Sequence, residues 1–193
     1  MSTGEVVDPN LPRGCDSELG LGALPGHTGR PLPVEGHWGM PRIATTTDVD
    51  LDGLLEFVRP RHRVVLTTRR ADGSPQISPV SAGVDGEGRI VISTYPTRAK
   101  AANLRRDPAA SVLVLSDDWN DPWVQVDGTA EVLDLPEALE PLVEYFRVIS
   151  GEHPDWDDYR AAMQRQGKVL LRITVDDWGP ISRGGFPARL LDD

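Results

Sequence analysis

The residues best suited to chemistry in this chain are cations set close together. In "STYPTRAKAANLRRDP", Ser93 to Pro108, Arg98, Lys100, Arg105 and Arg106 follow one another with no carboxylate between them. Pro96 at the first helical position is pre-organised for a helix start, and Ser93 or Thr94 helps to cap it. The unpaired amides of that first turn, those of Thr97, Arg98 and Ala99, then point outward. Together with the aligned peptide dipoles they attract an anion. Arg98 adds a planar fork suited to bidentate phosphate binding, and Lys100 adds a compact charge. Lys100 and Asn103 are three apart and share a helix face. The chemistry indicated is phosphate binding. Arg105 and Arg106 lie in the last turn, where cations are favourable without any ligand, and are assigned to structure.

Two further stretches suit the walls of a pocket. Gln76 and Ser78 alternate onto one face of an extended run, where an amide and a hydroxyl can hydrogen-bond the edge of a heterocycle. Pro79 donates no ladder bond, so the strand ends, bulges or lies at a sheet edge there. "DDWNDPWVQV" supplies Trp119 and Trp123; their indoles suit an aromatic ligand, a core or a dimer interface equally. His27, His37, His62 and His153 are too scattered for a compact metal site, and no metal is expected. No Ser-His-Asp set, Cys-His pair or helical metal-ligand pair appears. Hydrolysis is thereby disfavoured, and no catalytic side chain is assigned.

The elements that must position these residues are mostly strands. "TTTDVDLDGLLEFVRP" reads as a short helix of about 48–58, with acids in its first turn and Pro60 after its end. "HRVVLTTRRADGSPQISPVSAGV" is two extended runs about an Asp72-Gly73 turn, and "DGEGRIVIST" adds a turn and a third strand. "PTRAKAANLRR" is helical and ends at Asp107-Pro108. "AASVLVLS" and "PWVQVDGTAEVLDL" are strands, two helices follow, and "KVLLRITV" is the last strand. In the first of those helices Leu139, Leu142, Val143, Phe146 and Ile149 form one apolar stripe. Six strands joined mainly by turns predict a mostly β, antiparallel barrel with peripheral helices rather than a parallel sheet. Residues 1–45, rich in Pro and Gly, read as a flexible or loosely packed arm before one domain of 46–193.

Charge narrows the ligand. The 193-residue chain has a formal net charge of -10, yet Arg59 to Arg106 holds ten basic against three acidic residues. Overall acidity argues against a nucleic-acid binder, while a confined basic segment suits a small anion. Arginine outnumbers lysine eighteen to two, which makes Lys100 conspicuous. The start "MSTGEVVDPN" lacks a signal-peptide layout and no apolar run is long enough to span a membrane, so a cytoplasmic protein is expected. The single cysteine, Cys15, excludes an intramolecular disulfide framework.

With these residues set out, the chain resembles the pyridoxamine-phosphate-oxidase-like split-barrel proteins, in particular the actinobacterial branch of F420-dependent oxidoreductases. The matching segments are "DGSPQISPV", "PTRAKAANLRRDPAASVLV", "VDGTAEV" and "SGEHPDWDDYRAAMQRQGKVLL", which cover most of residues 60–175. The resemblance implies a six-stranded split barrel that forms a homodimer with cofactor sites at the subunit interface. It implies that Arg98, Ala99 and Lys100 hold the cofactor phosphate with Asn103 nearby. It places the ring near Gln76, Ser78, Ser93 and Thr94, under Trp119 or Trp123 of the partner. Many relatives carry Asn where this chain has Pro79. The implied activity is hydride transfer from the deazaflavin coenzyme F420 to a small electron-poor organic substrate. The alternatives are an FMN-dependent oxidase or flavin reductase of the same fold, and a non-catalytic flavin or tetrapyrrole carrier. For the deazaflavin's polyglutamate tail, Arg59, Arg61 and Arg63 are the candidates.

Overall fold

A computed structural model of the chain describes residues 43–185. Most of the expected arm, with Cys15, His27 and His37, lies outside the described residues. The fold is mostly β. Strand β1 (Thr45–Thr47) precedes helix α1 (Leu51–Val58), then β2 (Arg63–Arg69), β3 (Pro75–Ser81), β4 (Gly83–Val84) and β5 (Ile90–Thr94). Helix α2 (Ala99–Arg106), β6 (Ala109–Val114) and β7 (Val124–Leu133) follow, then α3 (Leu139–Ser150), α4 (Trp156–Gln166), β8 (Val169–Trp178) and β9 (Ile181–Arg183). Seven strands form one antiparallel sheet in the order β3-β2-β6-β7-β8-β5-β4, curled into a half-barrel. β1 and β9 pair separately. No helix among the described residues is long and apolar enough to cross a membrane.

The local rules are visible in the elements. Asp50 caps α1 by accepting the Gly53 amide at 2.9 Å, so the helix begins at Leu51, three residues later than the expected 48. The β2–β3 hairpin turns at Asp72-Gly73, where Asp72 accepts the Ser74 amide and Gly73 sits at φ 82°, the left-handed region that glycine enters freely.

The sequence reading expected six strands, and the additional ones have a physical origin. The run through "SPVSAGV" does not stay on one neighbour. β3 pairs with β2 along its whole length, whereas β4, one residue further on, pairs with β5 at the opposite end of the sheet order. Gly83 permits the crossing. A Cβ there would stand 2.9 Å from Val148 Cγ1 of α3, closer than side chains normally approach. β3 is thus an edge strand, which is where Pro79 is tolerated.

The core has two parts. Leu66, Ile90, Ile92, Val112, Val126, Leu171 and Ile173 fill the barrel. Val91 and Leu170 face the other way, onto Leu142, Val143, Tyr159 and Met163 of α3 and α4. β5 and β8 are therefore covered on both faces, which explains why "RIVIST" and "KVLLRI" read as nearly continuous apolar runs.

Candidate functional site

Helix α2 forms the centre of the site. Its first residue is Ala99 and its N-cap is Arg98 in extended conformation, with no side-chain cap bond. Pro96 and Thr97 belong to a preceding turn closed by the Arg98 amide on the Tyr95 carbonyl at 3.1 Å. Tyr95–Arg98 closes as a turn, with Pro96 pre-setting its second position, so the helix starts three residues after the proline. Arg98's amide is thereby engaged, while those of Thr97, Ala99 and Lys100 find no backbone acceptor among the described residues. These three amides are left as donors that an anion at the helix start can use.

Among the described residues both flanking cations lack a counter-charge. Among the described residues no carboxylate pairs with Arg98 or Lys100, although many other arginines are paired, including Arg105 with Asp134. Lys100 is half-buried, and that burial, reinforced by the Arg98 guanidinium, lowers its pKa from the usual lysine value. Two like charges brought together, with Lys100 partly dehydrated, form a poor self-contained structure. They form a good receptor for a phosphate.

Behind them runs a polar chain that links three of the residues picked out in the sequence. Asn103 Nδ2 donates to Thr68 Oγ1 at 3.0 Å, Thr68 Oγ1 donates to Gln76 Oε1 at 3.1 Å, and Gln76 Nε2 donates to Ser78 Oγ at 3.3 Å. Arg106 Nη2 completes it, donating to Asn103 Oδ1 at 3.3 Å and to the Arg69 carbonyl. Thr68 and Asn103 are buried, while Gln76 and Ser78 are half-buried. Both polar ends of Asn103 are engaged within the protein, so it ties α2 to β2 and orients Gln76. The Gln76 carbonyl turns inward. Its second N–H and the Ser78 hydroxyl hydrogen remain as donors for the acceptor edge of a ring.

Ser93 and Thr94, adjacent on β5, face opposite ways. Thr94 is buried on the side of Ile90 and Ile92, whereas Ser93 lies on the Val91 side, toward α3 and α4. Only one of their side chains can share a face with a given ligand. Trp119 is 87% exposed at the tip of the β6–β7 loop. Trp123 is anchored by a pair of backbone bonds with Ser182 and is 38% exposed. The structure thus joins Asn103, Gln76 and Ser78 in one chain, sets Arg98, Ala99 and Lys100 at one corner, and leaves Trp119 projecting from the surface.

One residue enters the site that sequence reasoning did not name. Thr68 is the hub of the polar chain; its one signal is its place as the inward-alternating member of the threonine pair that follows the apolar run in "RVVLTTR". Arg61 and Arg63, expected to serve a ligand tail, hold the tryptophan loop. Arg61 stacks over Phe57 at 3.7 Å and donates to the Phe57 carbonyl and Ser116 Oγ. Ser116 Oγ in turn donates to the Pro122 carbonyl at 2.5 Å, closing the loop at its base. Arg63 pairs with Asp117 at 3.5 Å.

Comparison with known proteins shows the family and the fold. Residues 52–182 match the family described as pyridoxamine 5'-phosphate oxidase. The chain is 29% identical over 140 residues to an F420H(2)-dependent biliverdin reductase of Mycobacterium tuberculosis, covering 71% of this chain and 91% of that protein. A solved structure of a conserved hypothetical protein from Mycobacterium tuberculosis superimposes with a TM-score of 0.59 at 27% identity, over 70% of this chain and 86% of the other. A structure named as an F420 reductase shares the fold with a TM-score of 0.50 at 21% identity, over 64% and 94% of the two chains. The chain belongs to the pyridoxamine 5'-phosphate oxidase family.

Proposed function

We propose that this chain is an F420-dependent reductase acting on a small electron-poor organic molecule. The observation that carries the reading is the pair Arg98 and Lys100, brought to the start of α2 with no carboxylate partner among the described residues and with Lys100 partly dehydrated. The relative named as F420H(2)-dependent supports a deazaflavin over other phosphate-bearing rings. Reduced F420, when bound, supplies a hydride from its C5.

The chain's own residues bind and orient. Arg98, Lys100 and the free amides of Thr97, Ala99 and Lys100 hold the phosphate. Gln76 and Ser78 present donors to one edge of the ring, kept in register by Thr68 and Asn103. Ser93 and Thr94 end β5, just before the turn into α2. Trp119, exposed on its own chain, covers the ring across the interface of a homodimer. No side chain is assigned as proton donor.

Titration of the purified protein with F420 and with FMN, followed by cofactor fluorescence, tests the reading. F420 is expected to bind more tightly and to be oxidised on addition of an acceptor. Tight FMN binding with none for F420 would replace the proposal by an FMN-dependent enzyme of the same fold. Tight F420 binding with no turnover across a broad acceptor panel would indicate a carrier.

A further inference from the structure

The second lysine of the chain stands against Tyr95, five residues before the first. Lys168 follows Gly167, which ends α4 in the left-handed conformation at φ 58°. The Lys168 amide donates to the Met163 carbonyl at 3.2 Å, so its backbone is fixed by the helix end. Its Nζ lies 3.7 Å from the centroid of the Tyr95 ring. Tyr95 is held in turn, its hydroxyl donating to Gln166 Oε1 at 3.1 Å. Its carbonyl closes the turn that sets Arg98 as the N-cap of α2. One aromatic residue therefore supports a lysine on its face and the phosphate corner through its backbone.

The treatment of charge elsewhere in the molecule gives this placement its weight. Most described arginines pair with carboxylates, as Arg89 does with Asp85 and Arg172 with Glu131. Arg61, Arg70 and Arg106 lack a carboxylate and donate to protein oxygens instead. Among the described residues Arg59, Arg98, Lys100 and Lys168 do neither, and the last three converge on residues 95–100. An aromatic face attracts an ammonium but does not neutralise it, so the charge stays available to an anion. In a chain with thirty acidic residues against twenty basic ones, three cations on or against residues 95–100, with no carboxylate partner among the described residues, exceed what a single phosphate needs.

We infer that Lys168 binds a second anionic group of the cofactor, beyond the phosphate held by Arg98 and Lys100, and so selects ligands whose phosphate continues into further negative charge. This rests on the proposed cofactor site and adds the chemistry of the tail. Two sources share that chemistry: the carboxylates of an oligoglutamate tail and the diphosphate of a dinucleotide such as FAD. Arg61 and Arg63, already engaged by the tryptophan loop, leave that role to Lys168.

The test measures dissociation constants by fluorescence for wild type, Lys168→Gln and Lys168→Arg, at several salt concentrations. The ligands are F420 with several glutamates, F420 with its tail trimmed to the phosphate, FMN and FAD. Lys168→Gln is expected to weaken the long-tailed form by roughly 1.5- to fivefold, the range for one partly exposed ion pair, and to flatten its salt dependence. Trimmed F420 and FMN are expected to be unaffected, and Lys168→Arg to behave as wild type. A loss confined to FAD would assign the second group to a diphosphate. An equal loss for long and trimmed forms would reduce Lys168 to a structural support of Tyr95 and overturn the inference, as would no loss at all. Wild-type protein that binds FMN but neither deazaflavin form nor FAD would overturn the cofactor reading and this inference together.

Discussion

Replacing Lys100 by Met should separate the two roles that its position combines. Met keeps most of the side-chain volume and removes the charge. If the ammonium bonds a phosphate, its loss weakens cofactor binding by about 1.5–3 kcal/mol, the range for a hydrogen bond to a charged group. That corresponds to roughly a tenfold to hundred-and-fifty-fold rise in Kd. The effect on the cofactor-free fold has the opposite sign. Burial, with Arg98 adjacent, holds the folded pKa below the unfolded value of 10.5. Between those two pKa values the unfolded chain binds the proton more strongly, so stability rises with pH through that window. At neutral pH the charged ammonium is therefore a net cost to the fold, and Lys100→Met should melt higher than wild type without cofactor. With cofactor at about a hundred times the wild-type Kd, wild type gains roughly 2.7 kcal/mol of stability and the variant gains much less. Thermal melts with and without F420, beside a fluorescence titration, read both effects. A variant that melts lower and binds F420 unchanged would refute the argument, because Lys100 would then be a structural residue. Arg105→Ala, which removes the partner of Asp134 at an exposed pair, serves as the control and should leave Kd unchanged.

Two further outcomes follow from the buried polar groups. Thr68→Val leaves Asn103 Nδ2 and Gln76 Oε1 without their shared partner; chemical denaturation should show a loss of about 1–3 kcal/mol, which Thr68→Ser largely restores. Tyr159, whose hydroxyl donates to the Leu142 carbonyl, has its pKa pushed up to about 12 by burial and then by Tyr145. Above pH 10 the unfolded chain releases this proton and the folded chain does not, so stability should fall as pH rises toward 12. Denaturation midpoints measured across that range should decline less in Tyr159→Phe.

The cationic helix start was legible because its signals are local. Pro96, the undiluted cations and the distance from Ser93 to Lys100 all fall within one strand end and one helix start. The helix nevertheless begins at Ala99, because the Tyr95–Arg98 turn takes up the proline and engages the Arg98 amide. The apolar stripe of α3 was legible for a similar reason, since 3.6-residue periodicity survives in any context that buries one helix face. The crossing from β3 to β4 was harder to see. "SPVSAGV" carries no break that local propensity would detect, and the close approach of Val148 that requires Gly83 comes from a helix more than sixty residues later.

From its own order of residues the chain determined the strand-rich alternation, the hairpin at Asp72-Gly73, the cationic helix start and the membership of a cofactor-binding family, all of which rest on neighbours a few positions apart. Only the tertiary structure decided which polar groups meet. Asn103, Thr68 and Gln76 are separated by up to thirty-five positions, and Lys168 reaches Tyr95 only because β5 and β8 lie side by side. Such contacts depend on strand order and on which face each side chain takes, and those are fixed when the sheet curls and buries its core, not by the sequence around each residue.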